Sequence, residues 1–591
     1  QGWNTAGYKD ADWLPVKIAG GEPVKVIATY NEPIRKKEFI KGVKMITTPK
    51  GEKVIDFGQN LTGWVQVKAK GNPGDKISIY HAEVLDKQGN FYIANLRPAK
   101  QLNTFILRGG SEESFEPRFT FQGFRYIKVE SPLDLKMENF TAVVLYSDIK
   151  TTGTFSCSNP LINQLQHNIQ WGQKGNFLDV PTDCPQRDER LGWTGDAQAF
   201  SRTAAFNMDV HNFFVKWLKD VEADQIDGSV PWVVPNVLGP NAAGSAGWGD
   251  AATIIPWNMY LAYGDKRILE EQFNSMKAWV DWMHRKSTNY LWNTGFHFGD
   301  WLFYRPFDDN DGRSAVTDKY LIAQTFFAHS TQLLVNAANV LGKKEDAAKY
   351  SELLQKVKDA FNKEYVTSNG RLISSTQTAY VLALNFDMLP ENLRQPTAQR
   401  LVDNIKSYDM HLTTGFLGTP YLTHVLSRFG YADVAYSLLL QETYPSWLYP
   451  VKMGATTIWE RWDGIKPDST FQTPTMNSFN HYAYGAIGDW MYRTVGGLDT
   501  KETAPGYKEI VIKPFLDKRL TKSTTSLTTP YGKAGSEWAF EGKNFSLNVT
   551  VPVNSRATVY IPDAAAETVH ENGTAIQGRK DLIVKGKDGD Y

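Results

Sequence analysis

LIAQTFFAHSTQLLVNAANVLGKKEDAAKYSELLQKVKDAFNKEY, residues 321–365, decides the fold. Ile322, Phe326, Leu333, Leu334, Ala337 and Leu341 recur on one helical stripe, which Gly342 stops. Ala347, Tyr350, Leu354, Val357 and Phe361 then form a second stripe at helical spacing. Two such helices joined by so short a connection make an αα-hairpin. Working outward, helical patterning is read near 197–221, 266–286, 377–386, 392–406, 416–428, 431–442 and 481–495, and behind an N-cap at Ser158 or Asn159 with Pro160 at the first turn. About a dozen helices closed into six hairpins would make an (α/α)6 toroid. On pattern alone, an open helical solenoid fits as well.

The flanks change period. Val54–Phe57, Trp64–Ala69, Lys76–His81, Asn103–Leu107 and Phe124–Glu130 are short runs between Gly, Pro and Asn turns, the pattern of an antiparallel β-sandwich. Lys508–Lys513, Thr524–Thr529, Glu537–Glu541, Phe545–Val553 and Ala557–Ile561 repeat it after the helices. The expected organisation is a multidomain α + β chain: 1–34 the tail of a preceding β domain, 35–148 an accessory β-sandwich, 149–498 the helical toroid, and 499–591 a C-terminal β-sandwich. Both sandwiches are expected to be structural rather than catalytic.

Lys+Arg and Asp+Glu are equal at 64 each, so no net field favours nucleic acid or an anionic membrane. No apolar run is long enough to span a bilayer. The N-terminus QGWNTAGYKD reads as mid-domain sequence without a signal peptide, so the chain is expected to start inside a longer protein, with a periplasmic or secreted location slightly favoured. Eighteen Trp and 13% aromatics fit a carbohydrate-facing surface. Cys157 and Cys184, the only cysteines, have no metal-ligand spacing, and Cys184 is expected to be a buried thiol.

Chemistry concentrates in Asp179–Phe200, DVPTDCPQRDERLGWTGDAQAF. Pro181, Pro185, Gly192 and Gly195 forbid one continuous helix, so acids, bases and indoles sit together on a shaped loop. Carboxylates beside an indole suit a polyhydroxylated ligand, and a desolvated one can serve as a general acid. Downstream, GATTIWERWDG (Gly454–Gly464) sets Glu460 between Trp459 and Trp462, which raises its pKa unless a cation offsets this. Glycoside cleavage needs two facing carboxyl groups, and Glu189 with Glu460 is the pair chosen. The structural alternatives are a helix-capping ion-pair knot in the first segment and a buried Glu460–Arg461 or Glu460–Arg190 salt bridge in the second.

These segments closely resemble bacterial α-L-rhamnosidases of glycoside hydrolase family 78, through DCPQRDER…GWTGDAQ and ATT-WERWDG. Gly247–Asp250 (GWGD), Gly299–Leu302 (GDWL), His411–Tyr421, Tyr444–Pro450 and Ser478–Gly485 fall in the family's order, and the likeness covers nearly the whole chain. The resemblance implies the closed toroid and an exo-acting, inverting α-L-rhamnosidase that needs no cofactor or metal and takes a rhamnose-containing glycoside; a homodimer is one expected assembly. It implies Glu189 as general acid, Glu460 as general base, and Asp183, Arg187, Trp193, Asp196, Trp248, Trp301 and His481 as substrate-binding. Arg187 has the alternative role of holding Glu189, and Asp196 that of capping a helix. Asp250 and Asp300 sit beside two of the indoles or cap helices, while Asp188 and Arg190 are expected to form supporting ion pairs. The loop Tyr304–Arg313 is expected to rim the pocket. The rival readings are another hydrolase or a phosphorylase on the same toroid, or a non-catalytic carbohydrate-binding protein.

Overall fold

The computed structural model describes residues 2–18, 20, 26–304, 316–542, 544–580, 582–589 and 591. The segment Arg305–Arg313 of the expected rim loop therefore lies outside the described residues. Strands β1 (Ile34–Lys41), β2 (Lys44–Thr47), β3 (Lys53–Ala69), β4 (Lys76–Ala82), β5 (Leu102–Ile106), β6 (Glu113–Phe115), β7 (Gln122–Glu130) and β8 (Phe140–Ser147) form one continuous sheet. Its order is β1-β8-β3-β7-β4-β5, with β2 and β6 paired to β3. The register of β3 against β7 shifts between Asp56 and Leu61. Such an irregularity re-aims side chains. Here Gln59 Nε2 donates to the Thr456 carbonyl at 2.8 Å, and the Asn60 N–H to Thr456 Oγ1 at 2.9 Å. The sheet is thereby tied to the loop that carries Glu460.

Next come β9 (Gly153–Cys157) and α1 (Pro160–Asn176), capped by Asn159, whose side chain accepts from the Leu161 and Ile162 N–H groups. A two-rung hairpin, β10 (Phe177–Leu178) and β11 (Val180–Pro181), leads into the motif loop. The toroid of six helical hairpins continues with α2 (Thr194–Asn207), α3 (His211–Asp224), α4 (Ala251–Tyr263), α5 (Lys266–Lys286), α6 (Lys319–Val340), α7 (Lys344–Tyr365), α8 (Gln377–Asn385), α9 (Glu391–Ser407), α10 (Thr419–Arg428), α11 (Ala432–Leu439), α12 (Leu448–Lys452) and α13 (Ile487–Trp490). The quoted hairpin is α6–α7. No helix among the described residues is long and apolar enough to cross a membrane.

Two details differ from the helical reading. The stretch near 197–221 is two helices, because the chain breaks at Met208 to bridge Thr151, and the Asp209 N–H donates to the Lys150 carbonyl at 2.9 Å. Helix α4 lacks a clear stripe because it is buried nearly all round and contains Pro256.

The C-terminal part has β12 (Leu498–Thr500), β13 (Glu509–Ile512), β14 (Lys522–Thr529), β15 (Gly532–Glu541), β16 (Asn544–Thr550) and β17 (Arg556–Val559). One sheet runs β16-β15-β14-β9, so a strand that precedes the toroid in sequence completes the sheet that follows it. In the other, β12-β13-β17, the β13–β17 pair is parallel. A single hydrophobic core runs through the toroid and this domain, and a second fills the N-terminal sheet with Trp171 and Leu178.

Candidate active site

The motif loop closes on itself before it closes on anything else. The Asp183 N–H donates to the Leu191 carbonyl, and the Leu191 N–H returns to Asp183 Oδ1, both at 2.9 Å. Thr194 N–H then reaches the Trp232 carbonyl at 2.9 Å as α2 begins. Gly195 is required there: a Cβ would meet the Trp248 ring at 2.5 Å, so the first turn of α2 lies flush on that indole. On its other side the loop rests against the N-terminal sheet, where a Cβ on Gly123 of β7 would meet the Gln186 backbone nitrogen at 2.9 Å.

Arg187 is the centre of the arrangement and is 1% exposed. Its Nη1 and Nη2 donate to Glu460 Oε2 and Oε1 at 2.8 and 3.1 Å. Its Nε donates to Glu189 Oε2 at 3.0 Å, and Nη2 lies 2.9 Å from the same oxygen and 3.5 Å from Asp183 Oδ2. One guanidinium thus gathers three carboxylates, including both members of the chosen pair. Glu189 Oε1 accepts from Trp193 Nε1 at 2.8 Å.

Glu460 sits where two irregular segments, 458–460 and 478–481, are joined by hydrogen bonds. Its N–H donates to the Ser478 carbonyl at 2.9 Å, the Ser478 N–H returns to Glu460 Oε2 at 2.7 Å, and the His481 N–H reaches the Ile458 carbonyl at 2.8 Å. Burial alone would raise the Glu460 carboxyl. The Arg187 charge, His481 and the Ser478 N–H outweigh it and hold the group down at about 2. The offsetting cation is Arg187, not Arg461, which pairs with Asp463 at 2.9 Å, nor Arg190. Trp459 and Trp462 anchor the segment instead. The first packs edge-on to Phe479, and the second stacks on Tyr484 at 4.0 Å.

Asp196, in the first turn of α2, makes no cap bond; its Oδ1 lies 2.7 Å from His481 Nε2. Burial opposes charge on His481, but Asp196, Glu460 and Asp183 together raise it to about 9, so the imidazolium is the resident form at neutral pH. Burial and the neighbouring Glu189 push Asp183 up to about 7 against the pull of Arg187. Asp183, Cys184 and Glu189 place donor atoms within 4.8 Å of one another. Arg187 already contacts both of those carboxylates, so the positive charge a metal would bring there comes from the guanidinium. Burial pushes the Cys184 thiol up, as fits an inert packing group.

The indoles meet around Phe298, whose ring centroid lies 5.7 Å from Trp193, 4.5 Å from Trp248, 5.8 Å from Trp301 and 5.0 Å from Trp232. Phe298 and Trp232 were not among the expected site residues; the alternating aromatics of Phe296–Trp301 were the available signal. The Trp248 indole N–H and His481 Nδ1 are buried and have no hydrogen-bond partner among the described residues. Asp250 and Asp300 are structural. Asp250 accepts from Gly247 N–H, Trp279 Nε1 and Ser330, and Asp300 from the Gly415, Leu417 and Gly418 N–H groups and Thr378. Asp188 does form an ion pair, 3.4 Å from Arg97 Nη1, but Arg190 stacks on the Phe121 ring at 4.4 Å and pairs with no acid among the described residues.

The N-terminal sheet is not a bystander. Arg97 Nη1 lies 3.1 Å from Glu189 Oε2. Glu83, just past β4, accepts from Asn60 Nδ2 at 3.1 Å, Asn95 Nδ2 at 2.9 Å and the Phe479 N–H at 3.1 Å, next to Ser478. Burial pushes Glu83 up to about 7 from an ordinary 4.5. A carboxyl raised on folding contributes stability below its ordinary value and loses it as the pH rises through the folded one. Glu83→Gln is therefore expected to flatten the fall in stability between pH 4.5 and 7.5, by roughly 3 kcal/mol. Asp183 and His481 share this sign and keep part of the slope; Glu460, held low, has the opposite sign, and its contribution is lost as pH falls from about 4.5 to about 2, below this window. Chemical unfolding at the two pH values checks this: an equal loss in parent and variant removes Glu83 from the linkage.

Residues 150–495 match the bacterial alpha-L-rhamnosidase 6 hairpin glycosidase domain, 46–146 the concanavalin-like domain and 497–575 the C-terminal domain of the same family. An alpha-L-rhamnosidase of Streptomyces avermitilis is 42% identical over 99% of this chain and 56% of its own length. One of Formosa agariphila is 40% identical over 99% and 63%. The crystal structure of the Streptomyces avermitilis alpha-L-rhamnosidase complexed with L-rhamnose superposes with a TM-score of 0.90 at 41% identity, over 97% of this chain and 56% of that one. The native enzyme of Aspergillus terreus gives 0.90 at 40% identity, over 95% and 66%. The chain thus spans little more than half the length of its curated relatives. With its toroid and both β domains matched in order, it belongs to the bacterial α-L-rhamnosidase family.

Proposed function

We propose that this chain hydrolyses terminal α-L-rhamnose from glycosides with inversion, Glu189 acting as general acid and Glu460 as general base. The observation that carries the reading is the convergence of these carboxylates, from opposite ends of the toroid's sequence, on the one guanidinium of Arg187 beside an aromatic wall. The relatives' names and the L-rhamnose complex of one of them support the substrate.

Each oxygen has a distinct load. Glu460 Oε2 accepts from Arg187 and Ser478, whereas Oε1 accepts, among the described residues, from Arg187 and keeps a lone pair for a water proton. Glu189 Oε2 faces Arg187 and Arg97, so the proton to be donated belongs on Oε1, steadied by Trp193. Glu189 gives that proton to the glycosidic oxygen as the bond to the anomeric carbon breaks. Water attacks the opposite face and yields its proton to Glu460. Asp183, Asp196 and the His481 imidazolium, with the free Trp248 N–H, offer hydroxyl partners, and the rings around Phe298 offer an apolar wall for the 6-methyl group. Arg187 spends its donors on carboxylates, so we assign it to holding the pair rather than to the sugar.

Glu189 Oε2 and Glu460 Oε1 share Nη2 at 2.9 and 3.1 Å, so these oxygens lie no farther apart than the two contacts laid end to end. That is less than the roughly 6.5–9.5 Å separating carboxyl groups in inverting enzymes, against about 5–5.5 Å in retaining ones. For inversion the acid must work from Glu189 Oε1, not from the oxygen drawn toward Arg187. NMR of fresh product from 4-nitrophenyl α-L-rhamnoside decides the point. β-L-rhamnose is expected first, with the α anomer following by mutarotation; α-L-rhamnose first would make Glu460 a nucleophile.

A further inference from the structure

We propose that Arg97 of the N-terminal β domain is a positioning residue for the acid, which makes that domain part of the catalytic apparatus. The inference rests on the reading of Glu189 given above. Arg97 follows the single turn Ala94–Leu96 and adopts φ 56°, a left-handed conformation that a non-glycine side chain rarely takes without being held there. What holds it is visible. Asn95, fully buried, donates to Glu83 at 2.9 Å and to the Asn477 carbonyl at 3.1 Å, and Leu96 is packed beneath. The Arg97 Nε donates to the Thr475 carbonyl at 2.9 Å, which leaves Nη1 between Asp188 Oδ1 at 3.4 Å and Glu189 Oε2 at 3.1 Å. The turn thus bridges the segment leading to Ser478 and the acid's own loop.

The charges around Glu189 are Asp183, Arg187 and Asp188 on its own loop, Asp196 on α2, and Glu460 and His481 across the site. Arg187 is shared among three carboxylates. Arg97 is the second cation on Oε2, so it fixes the rotamer and directs the proton to Oε1. Removing it should loosen the acid and misplace the proton it donates.

The test compares the full chain with Arg97→Met, Arg97→Lys and Glu189→Gln on 4-nitrophenyl and methyl α-L-rhamnosides. For Arg97→Met, kcat on the methyl glycoside is expected to fall about tenfold and on the nitrophenyl glycoside less than about twofold, because a good leaving group needs little protonation. KM should hold on both substrates. Arg97→Lys should restore most of the rate on the methyl glycoside. Equal losses on both substrates, or no loss at all, would overturn the proposal. If Arg97→Met does not unfold cooperatively, Arg97→Gln replaces it under the same criteria. Should Glu189→Gln itself show no dependence on leaving group, the acid assignment fails and the role of Arg97 falls with it; a normal Glu189→Gln response beside an indifferent Arg97 variant sinks the inference alone.

Discussion

Glu460→Gln is expected to lower kcat by about 10²–10⁴, the range for losing a general base. The loss should be similar for aryl and alkyl rhamnosides, because departure of the leaving group does nothing to deprotonate water. The side chain is 2% exposed and held at about 2, so the parent's base is ionised throughout the working pH range. The amide preserves shape and can still accept from the Ser478 N–H, but its NH₂ opposes the Arg187 donors, so a modest loss of stability accompanies the loss of rate. Azide, an anion that needs no base, should restore turnover in Glu460→Ala and yield the inverted glycosyl azide. Activity within tenfold of the parent, or a loss graded by leaving group, would remove Glu460 from the base position.

The helical core was legible because its amphipathic helices carry a period: α6 and α7 lie where the two stripes put them, and α5 where helical patterning was read. Helix α4 was not, since a helix buried on every side has no stripe to read. The strand Gly153–Cys157 alternates cleanly, yet nothing local says that its partner is β14, far along the chain. The same limit governs the site. Glu189 and Glu460 stand out by residue type and neighbours, whereas the indoles beside Glu460 suggested an apolar setting and the fold surrounds it with Arg187, Ser478 and His481. Arg97 and Glu83 lie in strand-and-turn sequence with nothing catalytic around them. Their part in the site comes from a domain interface and one residue at positive φ, which no local pattern announces.

Arg187→Met should be the most damaging single change, since it affects stability and activity through the same contacts. It leaves Glu460 and Asp183 buried without their cation, and breaking a buried ion pair from one side costs about 3–5 kcal/mol. Arg187→Lys separates charge from geometry. A single ammonium cannot donate in parallel to both oxygens of Glu460 while also meeting Glu189, so it should recover part of the stability but still lose about 10²-fold in kcat. The pH profile carries the sign. Burial pushes Glu460 up and Arg187 is the first of the groups holding it down, so weakening that hold moves the acidic limb of kcat/KM toward neutral pH. A double variant, Arg187→Met with Glu460→Gln, should be less damaged in stability than the two single losses added together, because the second change removes the charge that the first left stranded. Chemical unfolding of the four proteins in this cycle measures the coupling. A coupling near zero, with the acidic limb of Arg187→Lys where the parent has it, would mean that the guanidinium does not organise the pair.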